Sequence, residues 1–164
     1  NTDLDYVGCE HLADGRVVDA GLEHEEIKEK LKSFSVNENS YILESKKYKE
    51  MPSAMQNMDA GIFLLEPFYS KVASAPTKLG EFLAMGIPCV TSKNIGDVES
   101  ILDEGNCGVV LSSFDDEYVE KSVKDLINLS LDLEVKQRCR NTAKKYFSLK
   151  EGVVKYSELY KDLC

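Results

Sequence analysis

Apolar and polar positions follow one another along the chain in a pattern that predicts alternating strands and helices. Five short runs are apolar on consecutive residues, which is typical of strands covered on both faces. They occupy residues 16–21, 39–45, 59–67, 87–92 and 107–112. Between these runs, apolar residues recur at helical spacing in residues 23–34, 48–58, 76–85 and 96–105.

This alternation predicts a doubly wound, Rossmann-like α/β fold. Strands that are joined through helices need right-handed crossovers, so we expect a parallel sheet with helices on both faces. After residue 114 only helical patterning remains. It predicts a helical C-terminal tail, with helices at residues 115–130, 132–146 and 148–162.

The first fifteen residues fit this pattern poorly. Residues 4–9 look like a strand, but only a few residues separate them from the run at 16–21. A parallel crossover needs about a dozen residues or more. We therefore interpret residues 1–15 as an irregular arm or the remnant of a first strand, and residues 16–164 as one domain.

Residues 74–92, with the sequence SAPTKLGEFLAMGIPCVTS, have the clearest boundaries in the chain. Pro76 suits the first position of a helix, where its missing N–H costs nothing. Gly86 suits the residue just past the helix end. The segment therefore predicts a short helix followed at once by a buried strand.

Glu81 lies off the apolar stripe of this helix and shares a face with Thr77 and Lys78. A helix start offers unpaired N–H groups and a partial positive charge, which favour phosphate. A carboxylate one turn further along could accept two hydroxyl hydrogens from a vicinal diol. A nucleoside diphosphate carries both groups, so the segment suits such a ligand. The plainer alternative is a solvated helix in which Glu81 pairs with Lys78.

Charge and cysteine content narrow the classes of function. The net charge is −9, so a general basic footprint for nucleic acid is absent, and an anionic ligand must be met by local groups. The five Cys are scattered and only two His are present, so we expect no metal site. The odd cysteine set favours a reducing, cytoplasmic location. No run of about 18 apolar residues occurs, and peripheral membrane attachment through other parts of the protein stays open.

The segment at residues 74–92 resembles the donor-site motif of retaining GT-B glycosyltransferases of family 4. Glu81, the turn FLAMG, the pair IP and the strand CVTS match that motif in order, and APTK at 75–78 looks like a variant with Ser-Pro-x-Lys. Three flanking segments are also similar, namely MPSAMQNMDAGIFLLEP, NIGDVESILDEGNCGVVL and AKKYFSLKEGVVKYSELYKDL. The resemblance covers about residues 16–163.

The resemblance implies that residues 16–164 are the nucleotide-sugar-binding half of a GT-B enzyme of glycan biosynthesis, without its N-terminal acceptor domain. Glu81 would hold the ribose hydroxyls, and the base would lie near Glu44–Lys47. The diphosphate would be held by Ser74, Ala75, Thr77 and Lys78. The donor would be a nucleotide sugar, used without a metal or other cofactor. The acceptor, a glycan or a lipid-linked sugar, would bind the missing domain, and the isolated domain would be inactive. No catalytic residue is assigned.

Two departures from the family pattern keep an alternative open. Ala73 stands where many members have a second Glu, and Cys9 stands where members have an Arg that clamps the diphosphate. The alternative is a non-catalytic nucleotide-sugar-binding or partner-docking module of a split or degenerate glycosyltransferase. A related sugar-nucleotide epimerase would need catalytic carboxylates and a His that cannot be placed here. A dinucleotide-binding dehydrogenase is rejected because G-x-G-x-x-G is absent.

The last predicted helix carries an apolar stripe made by Val153, Tyr156, Leu159 and Tyr160. We interpret the stripe as core packing. If the facing domain is missing, the stripe would instead be an exposed interdomain surface that promotes self-association.

Overall fold

The computed structural model describes residues 6–9, 16–18, 24–44, 46–65, 69 and 72–163. Its strands are β1 Tyr6–Cys9, β2 Arg16–Val18, β3 Ile42–Glu44, β4 Gly61–Leu64, β5 Cys89–Ser92 and β6 Gly108–Leu111. Its helices are α1 His24–Ser33, α2 Met51–Met55, α3 Thr77–Met85, α4 Val98–Gly105, α5 Asp116–Ser130, α6 Val135–Tyr146 and α7 Leu149–Leu163. Single 3₁₀ turns lie at Glu38–Ser40 and Tyr48–Glu50. The predicted α/β fold with a helical tail is confirmed.

One sheet contains the described strands in the order β3-β2-β1-β4-β5-β6. The predicted parallel pairing is confirmed for β4, β5 and β6, and β2 also runs parallel to β3. β1 departs from the prediction, because it runs antiparallel to both β2 and β4. An antiparallel pair does not need a long crossover, so the short link between residues 9 and 16 is sufficient. The domain boundary at residue 16 stays a prediction.

Helices cover both faces of the sheet, as the consecutive apolar positions of the strands predict. All four residues of β5 are buried. Cys89 belongs to the larger core cluster, with residues of α3, α4 and α6, whereas the adjacent Val90 packs with Leu126 of α5. Phe63 of β4 and Phe82 of α3 stack with their ring centroids 6.1 Å apart. An aromatic pair at such a distance contributes about 0.5–1.5 kcal/mol of stability beyond the effect of burying its surface, so this contact stabilises the packing of α3 on the sheet.

The apolar stripe of α7 is exposed, which corrects its interpretation as core packing. Val153, Tyr156, Leu159 and Tyr160 are 55%, 67%, 59% and 67% exposed, respectively. The helix itself is confirmed, because α7 forms over Leu149–Leu163 and the Glu151 N–H donates to the Ser148 hydroxyl at its start. Periodicity fixes which residues share a face but not whether another element covers that face. The self-association of this surface stays a prediction.

Across the described ranges, no helix combines the length and the apolar character that crossing a membrane would need.

Candidate functional site

Helix α3 begins and ends at the residues that favour helix ends, and it packs on the core through its apolar stripe. Gly86 adopts a φ of 82° just past the helix, and its N–H donates to the Leu83 carbonyl over 3.0 Å. The predicted helix end is therefore confirmed, since this left-handed conformation suits glycine. Pro76 is extended and lies immediately before the helix, one position earlier than predicted. Leu79, Phe82 and Leu83 are buried, so the face carrying Glu81 is turned away from the sheet.

The loop that precedes α3 is fixed by the turn after β5. The Gly96 N–H donates to the Val72 carbonyl over 3.0 Å, and Gly96 has a φ of 47°. A Cβ at Gly96 would lie only 2.1 Å from the carbonyl oxygen of Ser74. The Leu65 N–H also donates to the buried Ser92 hydroxyl over 2.8 Å, which ties the ends of β4 and β5 together. The start of α3 therefore lies at the carboxyl edge of the sheet, where this class of fold binds ligands.

An open groove of about 620 Å³ runs along the outer face of α3 and separates it from the exposed face of α6. On the α3 side its lining residues follow the helical spacing i, i+3, i+4, i+7, and they are Thr77, Gly80, Glu81 and Ala84. The α6 side repeats that spacing and ends at the link to α7, with Arg140, Ala143, Lys144, Phe147 and Ser148.

The two helices that form this groove, called the α3–α6 groove below, run antiparallel. Near the start of α3, a Cβ added to Gly80 would lie 3.0 Å from Cγ of Phe147, just past the end of α6. At the other end, Nη2 of Arg140 donates to the Met85 carbonyl over 3.4 Å. Because Gly80 has no side chain, the Phe147 ring can pack closely against α3 at this point. Lys144 is consequently one helical turn closer than Arg140 to the α3 start.

The charges of the α3–α6 groove face one another from opposite walls. Glu81 is exposed on the α3 wall, and its carboxylate has no hydrogen-bond or ion-pair partner among the described residues. The ion pair with Lys78 that the plainer interpretation requires is therefore absent within that part of the chain. On the opposite wall Lys144 is also exposed. The neighbouring Lys145 does not line the groove, and it forms an ion pair with Glu104 of α4.

A model of the protein family described as glycosyl transferases group 1 matches residues 12–146. The chain belongs to this family. The match runs from before β2 to the end of α6, so it contains the whole segment at 74–92 and most of the groove. It confirms the glycosyltransferase assignment that the resemblance implied. A search of curated proteins found no match to the chain.

The structure brings only two of the five predicted donor-binding residues of this glycosyltransferase domain into the groove, Thr77 and Glu81. Lys78 is half-buried at the start of α3. Ser74 and Ala75 belong to the loop before that helix, where the Gly96 turn lies against Ser74. The five residues thus lie around one helix start, and their binding roles stay predictions.

The predicted base-contacting segment lies on another part of the sheet. Glu44 ends β3, Ser45 lies outside the described residues, and the Lys47 N–H donates to the Glu50 carboxylate over 2.9 Å. Two strands, β2 and β1, separate β3 from β4. Three strand spacings amount to roughly 14 Å, so the base of a ligand would have to reach across the sheet edge.

Because β1 is antiparallel to β4, the end of β1 cannot place a basic side chain beside a diphosphate at the start of α3 in this glycosyltransferase domain. Tyr6 pairs with Leu64 and Gly8 pairs with Ile62, so β1 ends beside the start of β4. The start of a strand lies at the opposite sheet edge from its carboxyl end. Cys9, at the end of β1, is therefore remote from the start of α3.

Sequence reasoning missed the residues of α6 that complete the groove. Arg140 and Lys144 lie four residues apart on the polar face of α6, which is a visible signal for a shared face. Nothing in that spacing shows which helix the face lies beside. Phe147 was likewise interpreted only as part of a closing segment, and Ser148 only as the N-cap of the last helix.

The buried cysteines of this domain are core residues, as predicted for Cys89 and Cys107. The Cys139 thiol lies 3.7 Å from the Cys107 carbonyl oxygen, to which it donates. The neighbouring Cys107 thiol and burial both raise the pKa of Cys139 far above its ordinary value. A protonated, buried thiol is a poor nucleophile, so Cys139 has a packing role.

No group of three or more His, Cys, Asp or Glu side chains is placed to hold a metal ion in the part of the chain that the structure describes. The expectation that the domain works without a metal stays a prediction.

Proposed function

We propose that this glycosyltransferase domain binds the nucleoside diphosphate part of a nucleotide sugar at the start of α3. The observation that carries the proposal is the position of Glu81, whose carboxylate has no partner among the described residues and lines the same groove as Thr77, one turn away. A ribose diol and a diphosphate are separated by about one helical turn. The α3 start and the α3–α6 groove therefore offer complementary groups at a matching distance.

The proposed chemistry is transfer of the glycosyl group with departure of the nucleoside diphosphate. The backbone N–H groups at the start of α3, with the Thr77 hydroxyl and the Lys78 ammonium, stabilise the charge that develops on the leaving diphosphate. Glu81 holds the ribose and thereby fixes where the anomeric carbon lies. The acceptor, a glycan or a lipid-linked sugar, binds a further domain that faces this edge of the sheet. The base lies near Glu44–Lys47.

Titration calorimetry of the chain with UDP, GDP and ADP, and with their sugars, tests this proposal. We expect one of these nucleotides to bind, and Glu81→Ala to weaken that binding about a hundredfold, because two charge-assisted hydrogen bonds to the ribose are lost, each of which contributes about tenfold. Glu158→Ala is the matched control, since it removes the same group from the exposed helix α7. Equal affinities of the Glu81→Ala and Glu158→Ala variants would refute the role of Glu81.

A second candidate function is binding without catalysis, in a split or degenerate glycosyltransferase. It is favoured by Ala73, which offers no carboxylate before α3, and by the antiparallel β1, which ends at the far edge of the sheet. A transfer assay on the full-length protein with each nucleotide sugar separates the two candidates. Nucleotide binding with neither transfer nor hydrolysis of the donor would favour the second.

The proposal that the protein is cytoplasmic rests on its cysteines. Cys89, Cys107 and Cys139 are buried in the core and form no disulfide bond. Free cysteines are usual in a reducing compartment, which supports the cytoplasm.

A further inference from the structure

A diphosphate at the start of α3 needs more positive charge than the α3 wall of the groove supplies. Glu81 adds a negative charge to that wall, and the chain as a whole carries a net charge of −9. The end of β1 lies at the other edge of the sheet and brings no cation to this place. The start of α3 and Lys78 supply part of the positive charge, and α6, which shares the groove, is the neighbouring element that can add to it.

We propose that Lys144 of α6 binds the diphosphate of the nucleotide across the α3–α6 groove, an inference that rests on the proposed function. Lys144 lines the groove opposite Glu81, and its ammonium has no hydrogen-bond or ion-pair partner among the described residues. A lysine is a mobile point charge on a flexible four-carbon stem, which allows it to follow the phosphates from a solvent-exposed wall.

The other cations of α6 are less suited to this role. Arg140 lines the same groove, but its guanidinium donates to the Met85 carbonyl at the far end of α3. Lys145 forms its ion pair with Glu104, which ties α6 to α4. Lys136 is exposed and does not line the groove. Lys144 is the described α6 cation that combines a groove position, nearness to the α3 start and an uncommitted charge.

Calorimetric titration of the Lys144→Ala variant with UDP, GDP and ADP, and with the matching monophosphate, tests the proposal. We expect affinity for the nucleoside diphosphate that binds to fall about tenfold, the effect of one charge-assisted contact. The loss should be smaller for the monophosphate, because fewer charges are engaged. Lys144→Arg should retain most of the affinity. Binding by the Lys144→Ala variant should also respond less to added salt than wild-type binding does.

Lys136→Ala is the control, because it removes the same charge from the same helix outside the groove. Urea unfolding of both variants checks that they fold alike, which we expect for two exposed lysines. If the chain binds none of the three nucleoside diphosphates, the proposed function fails and this inference fails with it. If the wild type binds and Glu81→Ala weakens binding, but Lys144→Ala behaves like Lys136→Ala, only the role of Lys144 is overturned.

Discussion

Replacing Gly96 by Ala tests how the loop before α3 is positioned. Gly96 has a φ of 47°, and a non-glycine residue in that left-handed region costs about 1–2 kcal/mol. The added Cβ would lie 2.1 Å from the Ser74 carbonyl oxygen, so one of the two backbones must move by about 1.2–1.5 Å to reach an ordinary carbon–oxygen contact. That movement also strains the bond from the Gly96 N–H to Val72, which contributes about 0.5–1.5 kcal/mol.

The summed cost is about 1.5–3.5 kcal/mol, which lowers the Tm of a domain of this size by about 3–14 °C. Thermal and urea unfolding measure this loss directly. If the loop moves instead and relieves part of the strain, Ser74 and Ala75 shift with it. The affinity for the nucleoside diphosphate should then fall while less stability is lost. The free energy of unfolding and the nucleotide affinity are therefore both measured on the Gly96→Ala variant.

Gly152→Ala is the control substitution. Apart from its chain neighbours and the adjacent backbone of helix α7, no described atom lies within 4 Å of a Cβ added there. Alanine is favoured over glycine inside a helix by about 0.5–1 kcal/mol, so this variant should be slightly more stable than the wild type. A Gly96→Ala variant with wild-type unfolding midpoint and wild-type nucleotide affinity would refute the reasoning about the loop.

Two further predictions concern charge and buried polarity. The Lys145 and Tyr146 partners lower the pKa of the Glu104 carboxyl from its ordinary value of 4.5. The ion pair between Glu104 and Lys145 therefore stabilises the fold above pH 4.5, and this stabilisation is lost as the pH falls through the lowered pKa of Glu104. When the pH is lowered from about 6 to about 3, the free energy of unfolding should therefore fall less for Glu104→Gln than for the wild type. The Thr91 hydroxyl is buried without a hydrogen-bond partner among the described residues. Thr91→Val should raise the free energy of unfolding by about 1 kcal/mol, and a lower urea midpoint would contradict this.

Local signals predicted α3 and its surroundings well. The buried positions Leu79, Phe82 and Leu83 and the left-handed Gly86 were visible in the sequence because helix periodicity and helix ends depend on neighbouring residues. The place of Glu81 on an outward face follows from the same periodicity. Thr77 and Glu81 line the groove together as their shared face suggests, whereas Lys78, which was placed on the same face, does not line it.

The direction of β1 and the exposure of the α7 stripe could not be predicted in this way. A short apolar run such as residues 6–9 has the same pattern in a parallel and in an antiparallel pair. The length of the link at residues 10–15 was the available clue, and it indicated only that a parallel crossover did not fit. The stripe at Val153 and Tyr156 has the spacing of a core face, yet it is exposed, because burial depends on what packs against a helix.

The sequence by itself determined the α/β class, the capped helix α3 and the side of that helix on which Glu81 lies, because these features are set by contacts within a few residues. The tertiary structure alone decided that Arg140, Lys144 and Phe147 line the same groove as Glu81. Those residues are far from it in the chain. Their approach depends on how α3 and α6 pack on the same face of the sheet, which no local pattern encodes.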